Sequence, residues 1–146
     1  MIPREFLSRS EEETAEIGRR IAADLPSDGV VEVRGDLGAG KTTLIRAIAS
    51  ELGADPLEIG SPSFAIVHEY PRFQGPAIVH VDGYRLSNRK REWLEIGIDE
   101  LLTSPGLKFI EWPKQEFSEI ADTSARIRVE VDPDGEGRRI HLEIAG

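Results

Sequence analysis

No cysteine occurs among the 146 residues, so the chain can form neither disulfide bonds nor thiolate metal sites and has no cysteine nucleophile. Long apolar runs are missing as well, since none approaches the roughly 18 residues that indicate a membrane-spanning helix. The stretch MIPREFLSRSEEE at residues 1–13 lacks the apolar segment of a secretory signal. These absences fit the reducing cytosol, and we expect a cytoplasmic protein without a membrane anchor.

Basic residues are scarce: 18 Lys and Arg stand against 27 Asp and Glu, which gives a net charge of −9. A chain with this charge repels a nucleic-acid backbone, so any RNA contact is expected to be shared with a partner. One basic cluster, Arg85 with Arg89, Lys90 and Arg91, has two interpretations. A solvated helix start is the usual meaning of such a run, and contact with a partner or RNA is the alternative.

Length and composition indicate a single domain over residues 1–146. A chain of this length supports one hydrophobic core. Its 39% hydrophobic and 31% charged residues are typical of a soluble globular protein. Neither repeats nor low-complexity segments nor a linker divide it.

Two helices and a strand are predicted in the N-terminal third. Ser10 and Glu13 form a capping box, and apolar residues then recur at every fourth position until the helix ends before Pro26. The Val-rich segment GVVEVRG at 29–35 predicts a strand that leads directly into a glycine loop. A helix with an apolar stripe follows, and Gly53 ends it.

Strands dominate the rest of the chain. Two β-prone runs within residues 63–82 are separated by PRFQGP, which indicates a pair of strands joined by a turn. One helix is expected over NRKREWLEIGIDELL, residues 88–102, and LKFIEW at 107–112 has the pattern of a buried strand. The alternating tail at 125–146 predicts a β-hairpin.

The segment GDLGAGKT at 35–42 satisfies the phosphate-loop pattern G-x-x-x-x-G-K-T between a predicted strand and a predicted helix. Its glycines let backbone N–H groups surround phosphate oxygens at the positive end of the helix dipole. Lys41 would reach the β and γ phosphates, and the Thr42 hydroxyl would bind magnesium. A ligand-free turn has no use for this Lys–Thr pair, so a nucleotide site is favoured. The predicted nucleotide-binding residues here are Gly35, Asp36, Leu37, Gly38, Ala39, Gly40, Lys41, Thr42 and Thr43.

Together these elements predict an α/β fold, a three-layer P-loop NTPase-like domain with a C-terminal β-hairpin. Its central sheet is expected to be mixed. Strands should be parallel at the phosphate loop and antiparallel towards an edge.

Two carboxylates end predicted apolar strands, Asp82 after IVHV and Glu111 after LKFI. Phosphate-loop sites place their acids at the carboxyl ends of neighbouring strands. One of the two would coordinate magnesium while the other orients or deprotonates the nucleophile, and the residues alone leave this division open. For either acid taken alone, the alternative is a carboxylate that caps a turn.

The motifs GDLGAGKTTL at 35–44, SPSF at 61–64, HVDGYRL at 80–86 and IEWP at 110–113 resemble those of the TsaE family, also called YjeE, in order and spacing. The resemblance spans nearly the whole chain. Because many unrelated proteins share a phosphate loop, the H-x-D-x-Y-R and E-W-P stretches are what single out this family.

The resemblance implies a P-loop ATPase with ATP and Mg²⁺ as cofactors, which works with the TsaB and TsaD proteins. Their complex transfers a threonylcarbamoyl group to the adenosine beside the anticodon of tRNA. ATP hydrolysis by the TsaE subunit, weak when it is alone, would support turnover of that complex. The chain would then meet tRNA indirectly, through its partners.

The family's roles carry over to matching positions of this sequence. Lys41 and Asp82 would be catalytic, whereas Thr42 and Glu111 would hold magnesium. Ser63 stands where the family usually has Thr, in a switch-like loop near the γ-phosphate, and it keeps the hydroxyl.

Other motif residues have two interpretations each. Trp112 would lie beside the active site or the partner surface, or else be a core aromatic. Tyr84 and Arg85 would contact nucleotide or partner, or pack on the surface. Gly83 replaces a bulkier residue of the family and predicts a looser backbone. His80 shares a strand face with the acid two residues later and is a candidate for lining the site.

Two other functions stay open. A small-molecule kinase would need acceptor-binding segments and usually an arginine-bearing lid, and the sequence shows no inserted lid. A nucleotide-dependent switch module is the second alternative. The guanine-reading N-K-x-D pattern is absent, which favours ATP over GTP.

Overall fold

Seven strands form one mixed sheet in the computed structural model of the chain, which describes residues 2–36, 38–60, 66–86 and 88–145. The strands are β1 (Ile2–Ser8), β2 (Gly29–Gly35), β3 (Val67–Tyr70), β4 (Ile78–Asp82), β5 (Leu107–Glu111), β6 (Thr123–Val131) and β7 (Arg138–Ile144). The helices are α1 (Glu11–Asp24), α2 (Lys41–Glu51), α3 (Pro56–Gly60), α4 (Lys90–Ile96), α5 (Ile98–Thr103) and a 3₁₀ helix (Gln115–Glu119). Within the described ranges, every helix is too short or too polar to cross a membrane.

The strand order across the sheet is β1-β7-β6-β2-β5-β4-β3. Pairs β6–β2, β2–β5 and β5–β4 are parallel, and the pairs at both edges are antiparallel. The predicted α/β fold with a mixed sheet and a C-terminal hairpin is confirmed, although antiparallel pairing occurs at both edges rather than one. The parallel strands bring their carboxyl ends to the side of the sheet where the phosphate loop begins.

Helices α1 and α2 cover one face of the sheet. Val31 and Val33 of β2 are fully buried on that face, in the same core cluster as Ile48 of α2. Gly18 of α1 lets the two helices approach closely, because a Cβ there would lie only 2.9 Å from the Cβ of Ala47. The helix that follows the phosphate loop is therefore packed on both sides.

The opposite face is covered over β2, β5 and β4 by α4, α5 and the 3₁₀ helix. Trp93 and Phe117 pack there edge to face, with 5.1 Å between ring centroids. Over β6 the same face carries charged side chains such as Arg128 and Glu130, which form an ion pair of 2.8 Å. Among the described residues, three layers are thus complete over one half of the sheet, and the hairpin half has two.

The start of α1 has the predicted capping box. Ser10 Oγ accepts a hydrogen bond from Glu13 N at 3.0 Å. The Glu13 carboxylate accepts in return from Arg9 N at 2.7 Å, one residue before the cap. The helix ends at Asp24, before Pro26, as the apolar periodicity predicts.

The prediction of one continuous helix over residues 88–102 is wrong, because α4 and α5 meet at Gly97. This residue has a φ of 83°. Its N–H donates to the carbonyl of Trp93 at 3.0 Å, which closes α4, and its own carbonyl accepts from Leu101 N at 2.9 Å, which opens α5. Glycine adopts the left-handed conformation of such a helix end at no steric cost.

Strand β1 has no counterpart among the predicted elements. Positions 3–5 are exposed, and within the described part of the strand only Phe6 and Ser8 are buried. The strand pairs with β7, where Phe6 lies opposite Ile140. Its conformation depends on this pairing rather than on a local apolar alternation, so the sequence pattern contains little signal for it.

Candidate functional site

The phosphate loop joins the end of β2 to the start of α2, and glycines with positive φ shape it. Gly35, Gly38 and Gly40 have φ values of 152°, 78° and 99°. At Gly35 a Cβ would lie 2.4 Å from the carbonyl oxygen of Val129, so glycine is what lets β2 pass its neighbour β6. The loop is closed by Ala39 N, which donates to the carbonyl of residue 36 at 3.1 Å.

The N-terminus of α2 is prepared for an anion. Gly40 is the N-cap and provides no side-chain hydrogen bond to the helix amides, and the described first turn contains no acidic residue. The first N–H groups of a helix lack intrahelical partners, and the helix dipole adds positive charge at that end. A phosphate group satisfies both requirements.

Lys41, the first residue of α2, is only 6% exposed. Its Nζ donates to the carbonyl oxygens of Gly35 and, at 3.2 Å, of Asp36. The same atom lies 4.3 Å from the ring centroid of Trp112, which is a cation–π distance. Burial lowers the pKa of Lys41 by more than the neighbouring carboxylates raise it.

Glu111 ends β5 next to the start of α2. Its carboxylate is buried, and the nearby hydroxyl of Thr42 is one of the groups that lower its pKa. His80 Nε2 lies 3.1 Å from Glu111 Oε2, an ion-pair distance, although its direction falls short of a straight hydrogen bond. Burial by itself would raise the pKa of Glu111, but His80, Lys41 and Thr42 together outweigh it and hold the pKa below its usual value. The group is therefore ionised at neutral pH.

Asp82 ends β4 directly opposite Glu111 in the parallel register of β4 and β5. Its Oδ1 accepts from Tyr84 N at 3.2 Å, and its Oδ2 lies 3.3 Å from Arg85 Nε. The side chain of Asp82 is 24% exposed, compared with 10% for Glu111. One carboxylate thus stands near the mouth of the site and the other deeper inside.

Gly83 is tightly held, so the looser backbone predicted for it is wrong. Its N–H donates to the carbonyl of Glu111 at 2.8 Å. A Cβ at this position would lie 2.3 Å from the carbonyl oxygen of Trp112 and 2.4 Å from that of Glu111. The end of β4 therefore lies directly against the end of β5, which ties the two carboxylates together.

Trp112 turns the chain immediately after β5, with a φ of 52° that residues other than glycine rarely adopt. Its ring contacts that of Tyr84 at 5.4 Å between centroids, and Tyr84 is 61% exposed. A cavity of about 720 Å³ adjoins this aromatic pair and is also lined by Arg34, Lys114 and Arg128. Trp112 is thus part of the site's edge rather than of the core.

A cavity of about 540 Å³ opens at the start of α2. Its lining residues are Glu11, Gly38, Gly40, Lys41, Thr42, Thr43, Asp82, Tyr84, Arg85, Glu111 and Trp112. All of these except Glu11 were singled out by sequence motifs that are far apart along the chain. The fold therefore brings the predicted residues to one place.

The remaining predicted residues lie elsewhere. Gly35 and Asp36 line the cavity beside the aromatic pair, and Ala39 lines a third one. Leu37 and Ser63, both predicted to bind nucleotide, lie outside the described residues.

Sequence reasoning missed the third cavity, which has about 250 Å³ and flanks the phosphate loop on the side of α1. Arg9, Ser10 and Thr14 line it from the start of α1, and Arg138 lines it from β7. Arg138 Nε also donates to the carbonyl of Ala39 at 3.1 Å. The capping box is the one sequence motif among the residues that line this cavity from α1. The contact between residues 39 and 138 joins positions far apart in the sequence, so no local pattern predicts it.

The basic cluster divides between two surroundings. Arg85 faces the site through Asp82. Arg89, Lys90 and Arg91 are exposed at the start of α4, where Arg91 is 92% exposed and lies 3.7 Å from Glu95. A solvated helix start is the interpretation that fits residues 89–91.

Thr42 and Glu111 are the residues that can hold a metal ion. Among the described residues, no group of three or more His, Asp or Glu side chains forms a cage for a metal. Mg²⁺ commonly needs only one or two protein carboxylates, because phosphate oxygens and water complete its shell. The Thr42 hydroxyl and the Glu111 carboxylate line one cavity and would together offer oxygen ligands beside the start of α2.

Comparison with known proteins identifies the family. The sequence model described as "Threonylcarbamoyl adenosine biosynthesis protein TsaE" matches residues 8–140. This chain belongs to the TsaE family. It is similar to TsaE of Streptomyces coelicolor, with 37% identity over 116 residues, covering 79% of this chain and 77% of that protein. TsaE of Treponema pallidum is 33% identical over 129 residues, covering 88% and 93%.

A solved structure supports the same assignment. YdiB of Bacillus subtilis superimposes with a TM-score of 0.71 and 26% identity, over 99% of this chain and 87% of that one. The predicted family resemblance and α/β fold are confirmed. The TsaE family is one of nucleotide-binding proteins of tRNA threonylcarbamoyladenosine biosynthesis.

Proposed function

We propose that this chain is a Mg²⁺-dependent ATPase that serves the TsaB–TsaD complex in the threonylcarbamoyladenosine modification of tRNA. The observation that carries the proposal is the meeting of Lys41, Thr42 and Glu111 at the uncapped start of α2. An anion-binding helix end, an ammonium group and an oxygen pair suited to Mg²⁺ are what a bound triphosphate requires.

Phosphate binding would use the loop as it stands. The amides at the start of α2 would take the β-phosphate oxygens, and Lys41 would exchange the carbonyls of Gly35 and Asp36 for phosphate oxygens. A carbonyl carries a partial negative charge and a phosphate oxygen a larger one, so the exchange favours the bound state.

Thr42 and Glu111 would hold Mg²⁺ together with phosphate oxygens and water. The metal would supply neutralisation of the charge on the phosphoryl group. Glu111 suits this role because its lowered pKa keeps it ionised at neutral pH. Thr42 suits it because its hydroxyl lines the same cavity as that carboxylate and helps to keep it ionised.

Asp82 would orient or deprotonate the attacking water. It lies opposite Glu111 but nearer the mouth of the cavity, where water has access. Arg85 lines the same cavity and would hold Asp82 in place or contact a phosphate oxygen. The nucleoside would lie in the cavity of about 250 Å³, which shares Gly38, Gly40 and Thr43 with the phosphate cavity.

Partner contact would involve Tyr84 and Trp112. Tyr84 is exposed, and Trp112 contacts both Tyr84 and the ammonium of Lys41. A partner seated on this aromatic pair would sense whether nucleotide occupies the site. tRNA would be reached through TsaB and TsaD in the cytoplasm, in keeping with the acidic charge of the chain.

The test is phosphate release from ATP by the chain alone and with purified TsaB and TsaD. We expect slow release alone and stimulation by the two partners together. Transfer of phosphate to a metabolite would instead identify a small-molecule kinase. Nucleotide binding with no release, with or without partners, would identify a switch module.

A further inference from the structure

A buried polar chain leads from α2 to the site through two strands. Tyr70 Oη lies 3.2 Å from His80 Nδ1, and His80 Nε2 lies 3.1 Å from Glu111 Oε2. Tyr70 and His80 are each 4% exposed, and Glu111 is 7% exposed. At the far end, the guanidinium of Arg46 in α2 lies close enough to the Tyr70 hydroxyl to lower its pKa, although burial outweighs this effect. The polar chain therefore runs Arg46, Tyr70, His80, Glu111.

The chemistry of these groups indicates which of them donates and which accepts a proton in the polar chain. A guanidinium carries only donors, so Arg46 cannot accept the proton of the Tyr70 hydroxyl. The Tyr70 hydroxyl can therefore donate to His80 Nδ1, which lies within hydrogen-bond distance at 3.2 Å. A neutral imidazole that accepts at Nδ1 carries its proton on Nε2. That proton is on the side of the ring that faces Glu111.

The ring of His80 is also fixed from its sides. His68 stacks on it at 5.4 Å between centroids, in the antiparallel register of β3 and β4. The neighbouring register places Asp82 opposite Glu111, so His80 reaches its carboxylate diagonally across β4 and β5. Because Tyr70 holds the edge of the His80 ring and His68 packs on its face, the ring can fix the position of a Glu111 carboxylate oxygen.

We propose that His80, oriented by Tyr70, is a positioning residue that holds Glu111 Oε2 so that the other carboxylate oxygen faces Thr42 and Mg²⁺. This inference rests on the proposed function, since it assigns a task in metal binding. In the TsaE motif H-x-D-x-Y-R it gives the histidine a role separate from that of the aspartate. Without His80, the carboxylate is free to turn towards the Lys41 ammonium, and the oxygen pair for Mg²⁺ is lost.

The test measures coupling between metal and nucleotide rather than turnover. The Kd of ATP is determined by tryptophan fluorescence, in EDTA and in excess MgCl₂, and the ratio of the two values is the Mg²⁺ coupling. Trp112 lines the cavity and serves as the reporter. Loss of a residue that positions a metal-binding carboxylate typically weakens metal binding about 10–100-fold.

Three variants of the polar chain are compared. His80→Leu is expected to lower the Mg²⁺ coupling about tenfold, with the Kd of ATP in EDTA unchanged. His80→Gln places an amide donor near the position of Nε2 and is expected to restore most of the coupling. Tyr70→Phe removes the proton that selects the tautomer, and we expect a smaller loss of about threefold.

Val79→Ala is the matched control. Val79 is buried in the same strand but on the opposite face, in the other core cluster. Its truncation destabilises the strand without touching Glu111. Unchanged coupling in this variant, with a lowered Tm, separates positioning from stability.

Wild-type coupling in His80→Leu would overturn the inference. So would an equal loss of coupling in Val79→Ala, or a His80→Gln variant as impaired as His80→Leu. If His80→Leu fails to fold, Tyr70→Phe decides, and unchanged coupling there overturns the inference. If the Kd of ATP for the wild-type chain is the same in EDTA and in MgCl₂, the proposed function is contradicted. The inference, which depends on it, is then overturned as well.

Discussion

Two buried carboxylates at the same end of the sheet have opposite surroundings. Glu32 of β2 is 8% exposed and Glu111 of β5 is 7% exposed. Val33, the next residue after Glu32, is the register partner of Glu111, so the two carboxylates point to opposite faces. Burial would raise the pKa of either group, and in both cases polar neighbours lower it instead.

The two carboxylates differ in the residues that surround them and lower their pKa. Glu32 is held by the Thr123 hydroxyl at 2.6 Å and by Arg34 at 2.8 Å, on the face of the sheet that also bears the exposed ion pairs of β6. Glu111 is held by His80 and by two residues of the phosphate loop, beside an open cavity. Burial with a shifted pKa therefore does not identify a site. What distinguishes Glu111 is its position in the cavity at the start of α2, whose N-cap provides no side-chain hydrogen bond.

The largest effect is expected for Lys41→Ala, which removes the cation of the site. We expect phosphate release to fall about 100-fold or more, because the lost group stabilises the charge of the transition state. Thermal unfolding should still show a folded chain. Lys90→Ala, on the exposed start of α4, is the matched control and should leave the rate unchanged. A Lys41→Ala variant with undiminished release would remove the site assignment.

Gly83→Ala and Gly135→Ala each add one methyl group, the first beside the site and the second in the C-terminal hairpin, and so compare the two halves of the sheet. At Gly83 the added Cβ would overlap the backbone of β5, and we expect a loss of about 2 kcal/mol in the free energy of unfolding together with impaired hydrolysis. Gly135→Ala, in the hairpin turn with a φ of 80° and open space around it, should cost about 1 kcal/mol from strain alone and leave hydrolysis intact. Denaturant unfolding and phosphate release distinguish them. Equal behaviour of the two variants would mean that the contact between β4 and β5 does not hold the site.

Glu111→Gln sharpens the assignment of the metal. If Glu111 binds Mg²⁺, the concentration of Mg²⁺ needed for half-maximal phosphate release should rise about tenfold or more. Glu32→Gln keeps the same change of charge on the opposite face and should leave this titration unaltered. An unaltered titration in Glu111→Gln would move the metal to Asp82.

The smallest effect concerns Glu32 and pH. Because its pKa in the folded chain lies below the ordinary value of 4.5, its ion pairs stabilise the fold above that pH. The contribution is lost as the pH falls through the lowered pKa. Glu32→Gln should thus be less stable than wild type by about 1 kcal/mol at neutral pH, and this difference in the free energy of unfolding should shrink as the pH falls through the lowered pKa. If the difference in stability between Glu32→Gln and wild type stayed constant as the pH falls, the effect would be assigned to packing rather than to the charge of Glu32.

The sequence allowed most of the site to be predicted because its signals are local. The phosphate loop and the strand-end acids Asp82 and Glu111 are each defined by a few adjacent residues. The same holds for the strands that carry them, whose apolar runs are continuous. Parallel pairing then brings these strand ends together without further information.

What escaped prediction depends on contacts through space. Gly83 is tightly held because a Cβ there would lie 2.4 Å from the carbonyl oxygen of Glu111 in β5, a contact that its sequence neighbours do not reveal. Gly97 breaks a helix whose apolar spacing continues across it. β1 exists through its pairing with β7. The role of His80 needs Tyr70 and Glu111, which lie on two other strands.

We expect the start of α2 to bind the triphosphate of ATP through backbone amides, Lys41 and a metal ion. Calorimetric titration of ATP into the chain, with Mg²⁺ or EDTA, tests it most directly. We predict binding at one site that Mg²⁺ tightens and that Lys41→Ala removes. Absence of binding to the folded wild-type chain, or equal affinity in Lys41→Ala, would contradict the account.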